Sequence, residues 1–294
     1  MARNLILVTG MPRSGTTVIG ERLLGARSIE LYEPMNLQVG DLSIKHQFTL
    51  PGEDGLDDAG LDRFVKRLRN GVLFGKYPPK HSPRHPLFNR TRRTMLRTLL
   101  DRRAETVIWK DPFAVFIAPK LPERGVPVVV TVRDPLASAA SFQRMNWSFD
   151  TDAFQKRLRQ IGFETEPFPS PKGDVREESA SAARLWALTH RYLLDQIDRQ
   201  IPLALIGIEG NLSAPEKVAQ RLKEATGITP QLTEAATQST DTSEPLPEQA
   251  HIKNRSAESV TKYWKKILTE DEASYVRELT DDLYARIQPR LALD

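Results

Sequence analysis

The chain has no cysteine. That excludes a disulfide framework and any thiolate-held metal site. It also lacks an apolar run approaching the roughly 20 residues of a membrane span. Charge of one sign is not in excess: 42 Lys and Arg stand against 38 Asp and Glu, a formal net charge of +4. So mild a balance suits an anionic ligand better than a nucleic-acid groove, and no nucleic-acid partner is expected. The first strand starts at residue 4, leaving no room for a signal peptide, so the expected location is cytoplasmic. No internal repeat is present. The 294 residues, 39% hydrophobic and 27% charged, are expected to form a single soluble domain over residues 1–294.

What is present is organised around Asn4 to Thr17, NLILVTGMPRSGTT. Leu5, Ile6, Leu7 and Val8 form a short apolar run that suits a buried parallel strand. Thr9 and Gly10 end it, and Thr16-Thr17 opens a helix with Ile19, Leu23 and Leu24 on its apolar face. A strand, a glycine-bearing turn and a helix start together make an anion cradle, because several backbone N–H groups converge there. The spacing nearly fits the nucleotide loop G-x-x-x-x-G-K-[ST]. Gly10, Gly15 and Thr17 match, but Thr16 stands where the lysine belongs, and the only cation of the turn is Arg13. A kinase or ATPase needs that lysine on its phosphates. A related cradle with different chemistry is expected.

Further strands are expected at Ser28–Tyr32, Thr106–Trp109, Val126–Val132 and Leu203–Ile208. Alternation with helices predicts an α/β fold, a parallel, doubly wound sheet of about five strands. Glu33 ends the second strand before Pro34, which is expected to hold it extended. The carboxyl edge of such a sheet is where ligands bind, so Glu33 is a candidate general base. Lys110 and Asp111 end the third strand before Pro112 in the same manner. Arg133 ends the fourth, Asp134 is an expected N-cap and Pro135 a first-turn residue. Ser141 lies about two helical turns on, so Arg133 and Ser141 form a second candidate phosphate clasp.

Residues 36–90 are rich in Gly, Pro and His; Leu61, Phe64, Val65 and Leu68 show helical spacing there. Phe74 to Pro86 is proline-rich and basic and reads either as a substrate-facing wall or as a plain surface loop. His46, His81 and His85 lack the spacing of a metal site. Thr91 to Arg103 is an expected helix burying Met95, Leu96, Leu99 and Leu100. Asp150 to Asp174 reads as a loop or lid. Glu177 to Arg199 is a long helix, with His190 structural. Ser213 and Glu216 read as a capping box ended by Gly227, and Thr269 with Glu272 as another. Thr233 to His251 reads as a loop.

These residues resemble the sulfotransferase family. PRSGTT at 12–17 is similar to its 5′-phosphosulfate loop, and VVVTVRDPLASAASF at 128–142 to its 3′-phosphate motif, with Arg133 and Ser141 at the family's spacing. IGIEGNLSAPEKVAQRLKEATGI at 206–228 is similar to a segment that commonly reads YEDL, with Ile208 and Gly210 departing from it. RSAESVTKYWKKILTEDE at 255–272 resembles the stretch that closes over the nucleotide. The resemblance implies the cosubstrate 3′-phosphoadenosine 5′-phosphosulfate, PAPS, and no metal. It implies Arg13, Ser14, Gly15, Thr16, Thr17, Arg133, Ser141 and Arg255 as its partners. Glu33, in the phrase YEP, matches the catalytic glutamate of carbohydrate-type members, with Asp111 in reserve. Lys110 resembles the lysine that neutralises the transferring sulfonate, with Arg13 beside it. The implied acceptor is a hydroxyl of a glycan, glycolipid or small molecule. Two other classes fit parts of the sequence: a P-loop small-molecule kinase, with Asp111 on magnesium, and a non-catalytic nucleotide- or polyanion-binding module. Residues 36–105 and 150–180 carry no match and are expected substrate-facing insertions.

Overall fold

A computed structural model describes residues 3–76, 89–231 and 262–291. Most of the expected wall at 74–86, with His81 and His85, lies outside the described residues, as do Thr233–His251 and Arg255. The chain divides into two compact units: Met1–Val132 with Tyr192–Ile206 and Ala219–Gln231, and Arg133–Arg191 with Gly207–Val218 and Leu232–Asp294.

The first unit carries the sheet. Strands β1 (Asn4–Gly10), β2 (Ser28–Tyr32), β3 (Thr106–Lys110), β4 (Val128–Val132) and β5 (Ala204–Gly207) form one all-parallel sheet in the order β2-β3-β1-β4-β5. β3 and β4 are buried along their whole length, as expected of strands covered on both faces. Helix α1 (Thr16–Arg22) is shorter than its apolar pattern predicts, because Leu23 already serves as its C-cap. Register then decides what meets at the carboxyl edge. Lys110 is paired with Tyr32 of β2 and with Val8 of β1. The ends of β2 and β3 therefore fall in one row, and β1 runs two residues beyond it to Gly10. Helix α2 (Asp58–Arg69) buries Leu61, Phe64, Val65 and Leu68 as its spacing predicts, with Asp57 accepting from the Gly60 N–H at its start.

Helix α3 (Arg90–Leu100) forms, but with the opposite face inward. Leu96, Leu99 and Leu100 are 52%, 49% and 68% exposed, whereas Thr91 and Thr98 are buried. Two backbone demands explain the inversion. The Tyr32 N–H, at the edge of the sheet, donates to Thr94 Oγ1 at 3.0 Å. Gly71 lies so close that a Cβ on it would stand 2.7 Å from Leu99 N and 2.9 Å from Thr98 Cβ. Small hydroxyl side chains satisfy both demands and leucines cannot. Arg3 locks the arrangement by donating to the Thr98, Asp101 and Ala104 carbonyls at 2.6, 2.5 and 3.1 Å.

The second unit holds α4 (Pro135–Arg144), α5 (Thr151–Gln160), the first part of α6 (Glu177–Asp198), the single turn α7 (Gly210–Ser213), the start of α8 (Pro215–Thr226) and α9 (Glu270–Leu291). α5 occupies part of the stretch expected to be a loop. Asp150 caps it through the Ala153 N–H, and Phe154 and Leu158, one turn apart, are buried. The Thr269–Glu272 capping box forms as expected, at 2.8 and 3.2 Å. The fully buried Glu272 carboxylate also accepts from Arg176 Nε at 3.0 Å and from Ser179 Oγ at 3.2 Å, which ties the start of α9 to the start of α6. The expected Ser213 box does not form: Ser213 ends α7, its hydroxyl donates to the Glu209 carbonyl, and α8 begins at Pro215. Gly227 ends α8 at φ 72°, as expected.

The inverted helix makes a sharp contrast. Gly71→Ala should cost about 2 kcal/mol or more, because the added methyl meets backbone at a positive φ. Leu100→Ser should change stability by less than about 0.5 kcal/mol. Urea unfolding of both variants checks this; a large loss in Leu100→Ser would mean that the leucine face is buried.

Candidate active site

The turn after β1 is shaped by close backbone contacts, among them the Ser14 N–H on the Met11 carbonyl at 3.1 Å. Gly10 has φ 146°, and a Cβ on it would meet the Thr131 carbonyl at 2.4 Å and Ser14 Oγ at 2.6 Å, so only glycine fits. Arg13 has a positive φ of 73°, and Gly15, also left-handed, is the N-cap of α1. A glycine N-cap brings no side-chain acceptor, so the N–H groups that open the helix keep their capacity for an outside acceptor. Ser14 turns its side chain toward β4. Its hydroxyl is buried and bonded to Thr131 Oγ1 at 2.6 Å, and Thr131 in turn donates to the Thr9 carbonyl at 3.1 Å. Ser14 thus contributes to the scaffold of the turn with its side chain. Thr131 was not singled out from the sequence; a lone threonine in the valine run VVVTV was its only signal.

Glu33 and Lys110 come together. Lys110 Nζ donates to Glu33 Oε1 at 2.7 Å, with the two side chains 3% and 13% exposed. The Glu33 N–H also donates to the Lys110 carbonyl at 2.8 Å, extending the ladder by one residue. Glu33 is not extended as Pro34 predicts: its φ is 46°, in the left-handed region. The turn is held by the Met35 N–H on Asp111 Oδ2 at 2.6 Å and by the Asp41 N–H on the Pro34 carbonyl at 2.7 Å. Asn36 Nδ2 donates to Glu33 Oε2 at 3.0 Å. Lys110 Nζ also lies 4.2 Å from the Tyr32 ring centre, and the Arg90 guanidinium 4.1 Å from the same ring. Burial first, and then the charge of Glu33, raises the Tyr32 phenol well above its ordinary value. Neither Tyr32 nor Asn36 was expected here. The phrase YEPMN was their signal. The stem of Lys110 passes α1, where a Cβ on Gly20 would be 3.4 Å from Lys110 Cγ.

Asp111 is placed differently. It is fully buried, and its carboxylate accepts from three N–H groups: Met35 at 2.6 Å, Trp109 Nε1 at 3.2 Å and Phe113 at 3.0 Å. Burial, followed by the charge of Glu33, lifts it from an ordinary 3.8 to about 7 against the pull of those donors. Such a group organises the site and offers no open oxygen to a substrate or to magnesium. His46 is exposed and bonded to Asp54 at 2.8 Å. No group of three metal-binding side chains occurs among the described residues.

Arg133 and Ser141 belong to the second unit, and both are buried. The Arg133 carbonyl accepts from Trp186 Nε1 at 3.0 Å, and its guanidinium lies 5.5 Å from the Tyr263 ring centre. Tyr263 in turn donates to the Ala137 carbonyl at 2.6 Å. Asp134 caps α4 through the Ala137 N–H at 2.9 Å, as expected, while its own N–H donates to Glu209 Oε1 at 3.1 Å. Burial raises both carboxyls, Asp134 and Glu209, with the Arg133 charge opposing it. Glu209 is thus the glutamate of IGIEGNL, and its work is to hold the start of α4. His190 is structural: it stacks on Trp186 at 3.8 Å, bonds the Trp186 carbonyl at 2.7 Å, and burial lowers it to about 4.

No family model matches the chain, and no curated protein does. Solved structures do. One is a sulfotransferase domain from the curacin biosynthetic pathway: 14% identity, TM-score 0.42, covering 95% of this chain and 98% of that one. Another is a sulfotransferase from Alicyclobacillus acidocaldarius: 15% identity, TM-score 0.46, covering 100% and 98%. Similarity at this level leaves the assignment of function to the residues themselves.

The raised carboxyl of Asp111 has a pH consequence. The folded chain holds that proton to about pH 7, while the unfolded chain loses it near 3.8. The native state therefore binds more protons in this window, and the contribution is complete below about 3.8 and lost as pH rises to about 7. The difference in Tm between the wild type and Asp111→Asn should narrow across that range in thermal melts. A difference that widens with pH would mean that the carboxylate is ionised throughout.

Proposed function

We propose that the chain is a sulfotransferase that moves the sulfonate of PAPS to a hydroxyl of an acceptor, a carbohydrate or glycolipid being the favoured class. The observation that carries this reading is the Glu33–Lys110 ion pair at 2.7 Å, set at the ends of β2 and β3 beside a β1 turn with no lysine. A phosphate-type turn with Arg13 as its cation suits the 5′-phosphosulfate. Arg133 and Ser141 are the proposed partners of the 3′-phosphate, and Arg255, outside the described residues, a further one. The backbone N–H groups at Gly15, Thr16 and Thr17 are the proposed donors of the turn.

Glu33 is the proposed base. The acceptor oxygen forms a new bond to sulfur, and its proton passes to a Glu33 carboxylate oxygen. The bond from sulfur to the bridging oxygen breaks, and its electron pair leaves on adenosine 3′,5′-bisphosphate. As Glu33 takes the proton its charge is cancelled, and the Lys110 ammonium is released toward the negative charge that builds on the sulfonate and bridging oxygen. Arg13 shares that load. Geometry favours Glu33 over Asp111, because Asp111 is fully buried while the Glu33 side chain keeps 13% exposure. The same burial weighs against the kinase reading, in which Asp111 would hold magnesium.

Incubation of the protein with PAPS and acceptor libraries, read by mass spectrometry, tests the activity; turnover with ATP and magnesium but none with PAPS would favour the kinase. Glu33→Gln should lower single-turnover transfer by roughly 10²–10⁴ with PAPS affinity unchanged. A collapse in Asp111→Asn alone, in a variant that still folds, would move the base. Arg13→Ala should slow transfer while the fold stays intact, and full turnover would make it a spectator. Titration calorimetry should show adenosine 3′,5′-bisphosphate bound far more tightly than AMP, with Arg133→Ala losing roughly 1.5–3 kcal/mol. Equal affinities for the two nucleotides would remove the 3′-phosphate contact.

A further inference from the structure

The inverted helix α3 leaves an apolar face on the surface of the first unit. Leu96, Leu99 and Leu100 stand at helical spacing on that face and are exposed. The face does not end with the helix. Residues 71–75 run alongside it in the opposite direction, since Gly71 packs at Thr98 and Leu99 while Gly75 packs at Arg92. Arg92 Nη2 donates to the Gly75 and Lys76 carbonyls at 3.3 and 2.6 Å. Val72 and Phe74 on this segment are 38% and 60% exposed, and Leu42, whose N–H donates to the Phe74 carbonyl, is 57% exposed. Six large apolar side chains are therefore exposed on neighbouring segments of one unit, with the Arg67 guanidinium 5.0 Å from the Phe74 ring centre.

Arginines outnumber carboxylates beside this patch. Arg93, Arg97, Arg102 and Arg103 are exposed, and their side chains make no ion pair among the described residues. The neighbouring carboxylates are engaged elsewhere: Glu30 with Arg90, Glu105 with Arg27, and Asp101 with the N–H groups of Arg103 and Ala104. An apolar stripe of leucine and phenylalanine edged by arginines without an ion-pair partner among the described residues matches a surface that is apolar within and anionic at its rim. A bilayer with anionic headgroups has that chemistry. No described helix is long and apolar enough to cross a membrane, so the contact would be interfacial.

We propose that this face, formed by Leu42, Val72, Phe74, Leu96, Leu99 and Leu100 and edged by the α3 arginines, docks the protein on an anionic lipid bilayer. The apolar side chains enter the headgroup boundary and the arginines pair with lipid phosphates. The proposal does not depend on the sulfotransferase reading, and its test contains no nucleotide.

The test is co-sedimentation of the full chain with vesicles of phosphatidylcholine alone and with phosphatidylglycerol added. The wild type should sediment with the phosphatidylglycerol vesicles, less so as salt rises, and little with phosphatidylcholine. Leu99→Gln with Leu100→Gln should lower the partition coefficient roughly tenfold or more, and Arg93→Glu with Arg97→Glu by a similar factor. Because all four side chains are exposed, thermal melts of both variants should match the wild type. Absence of wild-type binding, or binding by both variants equal to wild type, would overturn the proposal. So would sedimentation velocity showing a dimer that the leucine variant splits, since the face would then belong to a second copy of the chain.

Discussion

The fully buried carboxylate of Asp111 is the contact on which the carboxyl edge of the sheet depends. It gathers N–H groups from three places: Met35 after β2, Trp109 within β3 and Phe113 in the turn that follows. Its backbone is tied as firmly, with its N–H on the Val8 carbonyl at 3.0 Å and its carbonyl accepting from Thr9 Oγ1 at 2.7 Å. One residue thus joins β1, β3 and the chain leaving β2. A charge-accepting group in a dry interior is costly unless satisfied, and three donors at once hold it in one position. The segments it joins are those that carry the turn, Lys110 and Glu33.

Strained backbone and charge coincide at Glu33 on this edge. Among the described residues only six non-glycine positions have positive φ, and two of them are Arg13 and Glu33. Each costs of order 1–3 kcal/mol, and surrounding contacts must over-determine the conformation for it to persist. At Glu33 those contacts are visible: Lys110 on its carboxylate and its N–H, Asn36 on its other oxygen, and Asp111 holding the next turn. The second unit shows a related device around Arg133. Trp186 fixes its carbonyl, and Asp134 and Glu209 set their carboxyls next to its charge. Cations at both places are held by acids and aromatic rings and so are pre-positioned at little further entropic cost.

Much of the fold was legible because its signals are local. The five strands, the caps at Asp134 and Thr269 and the closing Gly227 follow from short patterns of apolar, capping and glycine residues. α5 was hidden, since the proline-rich end of its region masked the pair Phe154 and Leu158. α3 was legible as a helix and misleading as to its face. Periodicity reports which residues share a side, and a leucine side is normally the inner one. Here the inner side was decided by a glycine backbone and an unpaired strand N–H, neither of which appears in a hydrophobic pattern. The candidate site divides in the same way: Glu33, Lys110 and the turn were visible as residues, while Tyr32, Asn36 and Thr131 were not.

The sequence by itself determined the parallel α/β architecture, the glycine-shaped turn without a lysine and the charged residues that end β2, β3 and β4. Each of these follows from sterics and hydrogen bonding within a few residues. Tertiary structure alone decided which carboxyl stays near the surface and which is buried, because Glu33 and Asp111 differ in what distant segments bring to them. It decided too that Ser14 points inward to Thr131, and that α3 turns its leucines to water. These outcomes depend on strand register and on the closeness of backbones far apart in the chain, and no local pattern encodes those distances.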